Sequence, residues 1–166
     1  MRSTMPIARV IAPIANEMVE ARLRQGRSVQ FTISTLSMSP ILMPGDRVLV
    51  CGKNADELSI GDIVLARAGD AWLAHRLIAR RVQNGRVFLV TQGDNAAQPD
   101  PFWSAAQVVG MVVAIQRDSR IIRLDSRRAV CLGLLRACFS RAKWFLQCTR
   151  DRLPSCPSCS AIPPIR

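Results

Sequence analysis

The chain has no tyrosine at all, and only five Phe and three Trp among 166 residues. Proteins that hold single-stranded nucleic acid stack bases on aromatic rings, so this scarcity removes the usual platform, and nucleic acid is not an expected partner. Histidine occurs once, at His75. Cys156-Pro157-Ser158-Cys159 has the spacing of a metal-binding pair, but a second pair is missing. No metal and no cofactor are therefore expected. There is no glycine-rich phosphate loop and no internal repeat. No apolar run reaches the about 18–20 residues that a membrane-spanning helix needs: the longest charge-free stretch, residues 28–45, is interrupted by Ser, Thr, Gln and Pro. Arg9, Pro13, Glu17 and Glu20 interrupt any apolar core of a secretory leader. These absences together lead to the expectation of a cytoplasmic protein, at most peripheral on a membrane. Its six cysteines (Cys51, Cys131, Cys138, Cys148, Cys156 and Cys159) are expected to stay reduced there.

What is present is apolar and basic. Hydrophobic residues make up 49% of the chain, which sets it apart from disordered sequences, and the length suits one domain with extensions. The net charge is +11, but it is unevenly spread. Residues 1–116 hold twelve Lys/Arg against nine Asp/Glu, whereas residues 117–166 hold eleven against three. The basic character belongs to the tail, which could meet an anionic surface or an acidic protein.

The patterning divides the chain into four parts: an N-terminal helical segment (1–27), a β domain (28–118), a basic helical extension (119–152) and a Pro/Cys tail (153–166). In the first part Ile14, Met18 and Ala21 recur at helical spacing from Pro13 to Arg24, and Gly26 suits the end. Val29, Phe31 and Ile33 alternate as a half-buried strand. Further strands are expected at Arg47–Cys51, Ile63–Arg67, Trp72–Ile78 and Gln107–Ile115, with Ile121 and Ile122 finishing the sheet. Asn84-Gly85 between Val82 and Val87 is a strong hairpin signal. Short strands joined by Gly/Asp/Asn turns argue a mainly β fold, a compact antiparallel barrel. From Arg127 to about Arg150, Leu132, Leu135, Phe139, Ala142 and Leu146 form one apolar stripe, flanked by Arg136, Lys143 and Arg150. That layout suits an anionic membrane surface, a partner protein or packing on the body, through residues 127–150. The four prolines of 153–166 predict disorder.

Four stretches carry the chemistry. Ser37-Met38-Ser39-Pro40 leads into Pro44-Gly45-Asp46 and a strand. Gly61-Asp62-Ile63-Val64 opens another. His75-Arg76-Leu77-Ile78 holds the only imidazole, and Gly93-Asp94-Asn95 is followed by Asp100. Serine cleaves an amide only when a base takes its proton, and imidazole can accept and release one near neutral pH. Ser37 and His75 are the candidate nucleophile and base. A carboxylate should orient the imidazole, and Asp100 and Asp94 are the candidates.

In this order and spacing the stretches resemble the signal peptidase I family, most closely the branch that pairs serine with histidine, over roughly residues 29–113. The bacterial type has lysine in the box that here holds His75, and no lysine lies near Arg76. The resemblance implies the coiled antiparallel β structure shared with LexA-like repressors. It also implies endopeptidase activity on precursor or signal-like peptides threaded as an extended strand. Ser37, His75 and Asp100 fall on the triad positions, with Asp94 as the alternative acid. Thr35 and the backbone N–H of Ser37 fall on the oxyanion donors. Between them the family usually has glycine and this chain has Leu36, whose side chain is expected to crowd the turn or the substrate. Two further readings stand beside the peptidase: a catalytically silent peptide-binding scaffold, and a LexA-like self-cleaving regulator.

Overall fold

A computed structural model describes residues 13–124, 131–140 and 142. The expected tail at 153–166, the cysteines at 148, 156 and 159 and most of the stripe beyond Phe139 lie outside these residues.

The first element is a helix, α1 (Pro13–Arg24). It is closed at its end by bonds from Gly26 N–H to Leu23 O and from Arg27 N–H to Arg22 O. Its inner face differs from the expected one. Asn16, Val19, Glu20 and Leu23 turn inward, while Met18 is 65% exposed and Ala21 is exposed. The polar Asn16 belongs inside because its side chain bridges two groups. It accepts from Trp72 Nε1 at 2.9 Å and donates to Asp70 O at 2.9 Å. A buried indole N–H needs such a partner.

Eight strands follow: β1 (Ser28–Thr32), β2 (Arg47–Gly52), β3 (Ile63–Ala68), β4 (Ala71–Gln83), β5 (Arg86–Gln92), β6 (Trp103–Ser104), β7 (Val108–Arg117) and β8 (Arg120–Arg123). All pair antiparallel in one sheet of order β1-β2-β7-β3-β4-β5-β6, with β8 beside β7. The mainly β expectation therefore holds, but the sheet is not closed. No pairing joins β1 to β6. β6 spans two residues, which offers little backbone for a closing ladder. The hairpin at Asn84-Gly85 forms as expected, with φ of 51° and 72° at the two turn residues.

The core lies on both faces of β3, whose run Ile63-Val64-Leu65-Ala66 is buried throughout. Ile63 and Leu65 join Leu23, Met38, Leu42, Val48, Val50 and Trp72 on one side. Val64 and Ala66 join Leu58, Leu77, Leu89 and Trp103 on the other. A strand covered on both faces reads as a continuous apolar run and not as an alternation. β4 pairs with β3 and β5, and its long ladder carries His75 and Arg76 to opposite faces.

The second helix, α2 (residues 131–140), also turns an unexpected face inward. Gly133 and Ala137 are buried, whereas Leu132, Leu135 and Phe139 are 57%, 67% and 63% exposed. The apolar stripe thus faces outward, and a face of small residues approaches the sheet. Small residues let a helix backbone come close to its neighbour, which a leucine stripe here would prevent.

Candidate active site

The loop between β1 and β2 presents Ser37. Its far end is fixed by Asp46, which is 3% exposed. Asp46 accepts from Met43 N–H at 2.7 Å and from Arg117 Nε and Nη2 at 2.8 and 2.7 Å. Arg117 Nη2 also donates to Ile41 O at 3.0 Å. Hydrogen bonds from the Arg117 guanidinium hold the Asp46 carboxyl below its ordinary value, and the Met43 N–H adds to this against the opposing effect of burial. Met38 packs beneath the serine at 2% exposure, in the core with Leu42 and Trp72.

β4 carries the imidazole. His75 is 6% exposed, and its Nε2 lies 2.9 Å from Ser37 Oγ. Its Nδ1 lies 2.7 Å from Asp100 Oδ2. The expected serine, imidazole and carboxylate are thus brought together from a loop, a strand and the segment after β5. Asp94, the alternative acid, is not placed at the imidazole. Its carboxylate is engaged by Arg76 Nε and Nη2, both at 2.7 Å, on the other face of β4. Alternation along the strand is the physical reason: His75 and its neighbour Arg76 cannot point to one side.

Two residues that the sequence reading passed over extend the line. Asp100 Oδ2 also accepts from Thr91 Oγ1 at 2.6 Å, and Thr91 Oγ1 accepts from Trp103 Nε1 at 2.7 Å. Asp100 N–H returns to Thr91 O at 2.8 Å, so the carboxylate is tied by backbone and side chain to β5. The available signal was a lone hydroxyl, Thr91, ending the buried run Leu89-Val90. What it faced depended on strand register, which the sequence does not display.

The Gly93-Asp94-Asn95 turn closes the site from above. Asn95 N–H donates to Ser37 O at 2.8 Å and Asn95 Nδ2 to Leu36 O at 3.3 Å. At Gly93 a Cβ would stand 2.6 Å from Ser37 O and 3.1 Å from His75 Nε2, so only glycine permits this approach. Thr35 Oγ1 lies 3.2 Å from Ser37 Oγ, on the nucleophile's own side of the turn. Leu36 is 54% exposed. Its side chain stands outward at the rim beside Ser37 and does not fill the turn.

Cys51, Cys131 and Cys138 are free thiols. Among the described residues no group of three or more His, Cys, Asp or Glu could hold a metal ion. No helix among them is long and apolar enough to cross a membrane. No family model matches this chain, and no curated protein matches it either.

Proposed function

We propose that the protein is a serine endopeptidase of signal peptidase I type, with a sheet related to the signal peptidase/LexA fold. The reading rests on one observation: an unbroken hydrogen-bonded line from Asp100 through His75 to a half-buried serine, at 2.7 and 2.9 Å. Ser37 Oγ attacks the carbonyl carbon of a peptide bond while its proton passes to His75 Nε2. Asp100 holds the ring by Nδ1 and stabilises the imidazolium that forms. The Ser37 N–H and the Thr35 hydroxyl are the donors for the oxyanion. Collapse of the tetrahedral species breaks the C–N bond, and His75 gives the proton to the leaving amine. Water then enters by the same route in reverse and frees the acyl group from Ser37.

The substrates are precursor or signal-like peptides in extended conformation. Small side chains flank the cut by analogy with the family. Outward placement of Leu36 leaves the Thr35–Ser37 turn intact, which favours an active enzyme over the silent scaffold. A peripheral association with anionic membrane through the basic C-terminal region is part of this proposal.

The test is cleavage of a precursor-peptide library by the full chain. Cuts are expected with the wild type and are expected to vanish in Ser37→Ala and in His75→Ala. Equal peptide binding by all three proteins, with no cut by any, would leave the scaffold reading in its place.

A further inference from the structure

Behind the general base, on the face of β4 that carries Arg76, α2 lies unusually close to the sheet. A Cβ at Gly133 would stand 2.7 Å from Gly61 O and 3.2 Å from Arg76 Nη1. A Cβ at Gly61 would meet Gly133 C at 2.9 Å. The two backbones therefore touch, with no room for any side chain between them. One turn further along α2, Ala137 is fully buried among Ile78, Ala79 and Val90. Between these two positions Arg136 reaches Asp94, with Nη1 3.5 Å from Oδ2.

The three groups that α2 meets are already joined to one another. Arg76 donates to Gly61 O at 2.6 Å and grips Asp94 with two bonds of 2.7 Å. Both members of the pair are buried, at 5% and 2% side-chain exposure. Each is also linked through the backbone to the reacting pair. Arg76 follows His75 directly on β4, while Asp94 follows Gly93, where the backbone comes so near that a Cβ would stand 2.6 Å from Ser37 O and 3.1 Å from His75 Nε2. A displacement of this pair must move the turn that covers the nucleophile. Arg136 adds a second cation to a carboxylate that Arg76 alone can neutralise. Its effect is therefore to fix where Asp94 sits.

We propose that α2 is a positioning element of the active site: Gly133 and Arg136 lock the Arg76–Asp94 pair and so hold the 93–95 turn against Ser37 and His75. This rests on the peptidase reading. Neither residue touches substrate or the reacting atoms. Their influence passes through Asp94 and Gly93, so they govern the rate of the chemical step and leave binding alone.

The experiment uses the full chain and a fluorophosphonate, which forms an Oγ–P bond at an activated serine as fluoride leaves and the proton goes to the base. Inactivation is followed as kinact and KI, and backbone amide exchange at residues 93–95 is measured alongside. Arg136→Met is expected to lower kinact about 3- to 10-fold at unchanged KI, and Gly133→Leu by about 10-fold or more, as misplacement of catalytic groups does. Exchange at 93–95 is expected to quicken in both. Arg136→Lys, which keeps the cation, is expected to recover most of kinact. Arg136→Met decides the matter if Gly133→Leu does not fold. Wild-type kinact and unchanged exchange in Arg136→Met overturn the proposal. A rise in KI with constant kinact overturns it too. Wild-type protein left unlabelled at Ser37 overturns the peptidase reading. Faster exchange in the variant would then reduce α2 to a brace for that turn.

Discussion

The β4–β5 ribbon carries a polar cluster on each face, and the two differ in kind. In front, Trp103, Thr91, Asp100, His75 and Ser37 form a line of hydrogen bonds that ends at a half-buried hydroxyl. Behind, Arg76, Asp94 and Gly61 O close on one another. The rear cluster matches charge with charge and directs its donors into the protein. The front line runs toward solvent, and its last member is an alcohol held against a basic nitrogen. Two aspartates six residues apart thus enter opposite chemistry. One meets an imidazole, a group that can exist with or without charge, and the other neutralises a guanidinium that is always charged. What separates them is the side of the ribbon each one reaches.

The sharpest way to break the comparison is to remove each aspartate in turn. Asp100→Asn is expected to lower peptide cleavage by about 10⁴-fold, the scale seen when a triad loses its orienting carboxylate. Its effect on stability should stay within about 1 kcal/mol, since an amide oxygen can still accept from Thr91. Asp94→Ala should instead act first on stability, with any loss of rate following from the freed 93–95 turn. It leaves Arg76 buried without its hydrogen-bonded carboxylate, at a cost of about 3–5 kcal/mol. Urea denaturation of both variants beside their cleavage rates checks the pair. An Asp94→Ala protein as stable as wild type would show that the rear cluster is not the anchor described here.

Much of the front face was legible because serine chemistry calls for particular residue types, and the order of the four stretches carried a family resemblance. Ser37 and the single His75 stood out without any knowledge of strand pairing, whereas the preference for Asp100 over Asp94 came from that resemblance. Asn84-Gly85 was equally plain, because its turn demands left-handed backbone that few residues accept. The helices were found, but their inner faces were not. α1 buries Asn16, which a search for apolar periodicity skips, since its value lies in reaching Trp72 and Asp70. α2 buries glycine and alanine, and its leucines drew attention to the outer face. Close backbone approach is invisible to hydropathy, because what matters is the atoms that are missing. The open edge of the sheet was equally hidden, because whether β6 reaches β1 depends on strand length and coiling in space.

A change one step back from the acid is expected to have a smaller effect. Thr91→Val keeps the shape of β5, but it removes a donor to Asp100 and leaves the Trp103 indole N–H buried without its acceptor. The unpaired group alone should cost about 1–3 kcal/mol. Cleavage should fall as well, because Asp100 keeps its backbone tie to Thr91 but loses the side-chain tie that sets its tilt. Thr91→Ser restores the hydroxyl, and recovery of both stability and rate would assign the effects to that oxygen. Loss of stability at full activity would mean that Asp100 needs no help from the Thr91 hydroxyl.

The least of the expected effects comes from the bolt beneath the serine loop, and it depends on pH. Arg117 and the Met43 N–H hold the Asp46 carboxyl below its ordinary value of 3.8 in the folded protein. Between the folded and unfolded values the unfolded chain binds more protons, so lowering the pH favours unfolding. The stabilisation from Asp46 is therefore complete above its ordinary value and is lost as pH falls through the folded one. Urea midpoints between about pH 5 and about pH 2.5 should decline less steeply in Asp46→Asn than in the wild type, because the amide has no proton to take up. Arg117→Gln should flatten the same part of the curve, since it removes the main cause of the shift while leaving the carboxyl in place. In both variants the Met43 N–H keeps an oxygen acceptor at position 46 and the front and rear clusters are untouched, so cleavage near neutral pH should fall less than in Thr91→Val. Parallel slopes in all three proteins would mean that the guanidinium does not stabilise the Asp46 anion in solution, and the serine loop would then owe its shape to Met38 and Leu42 packed beneath it.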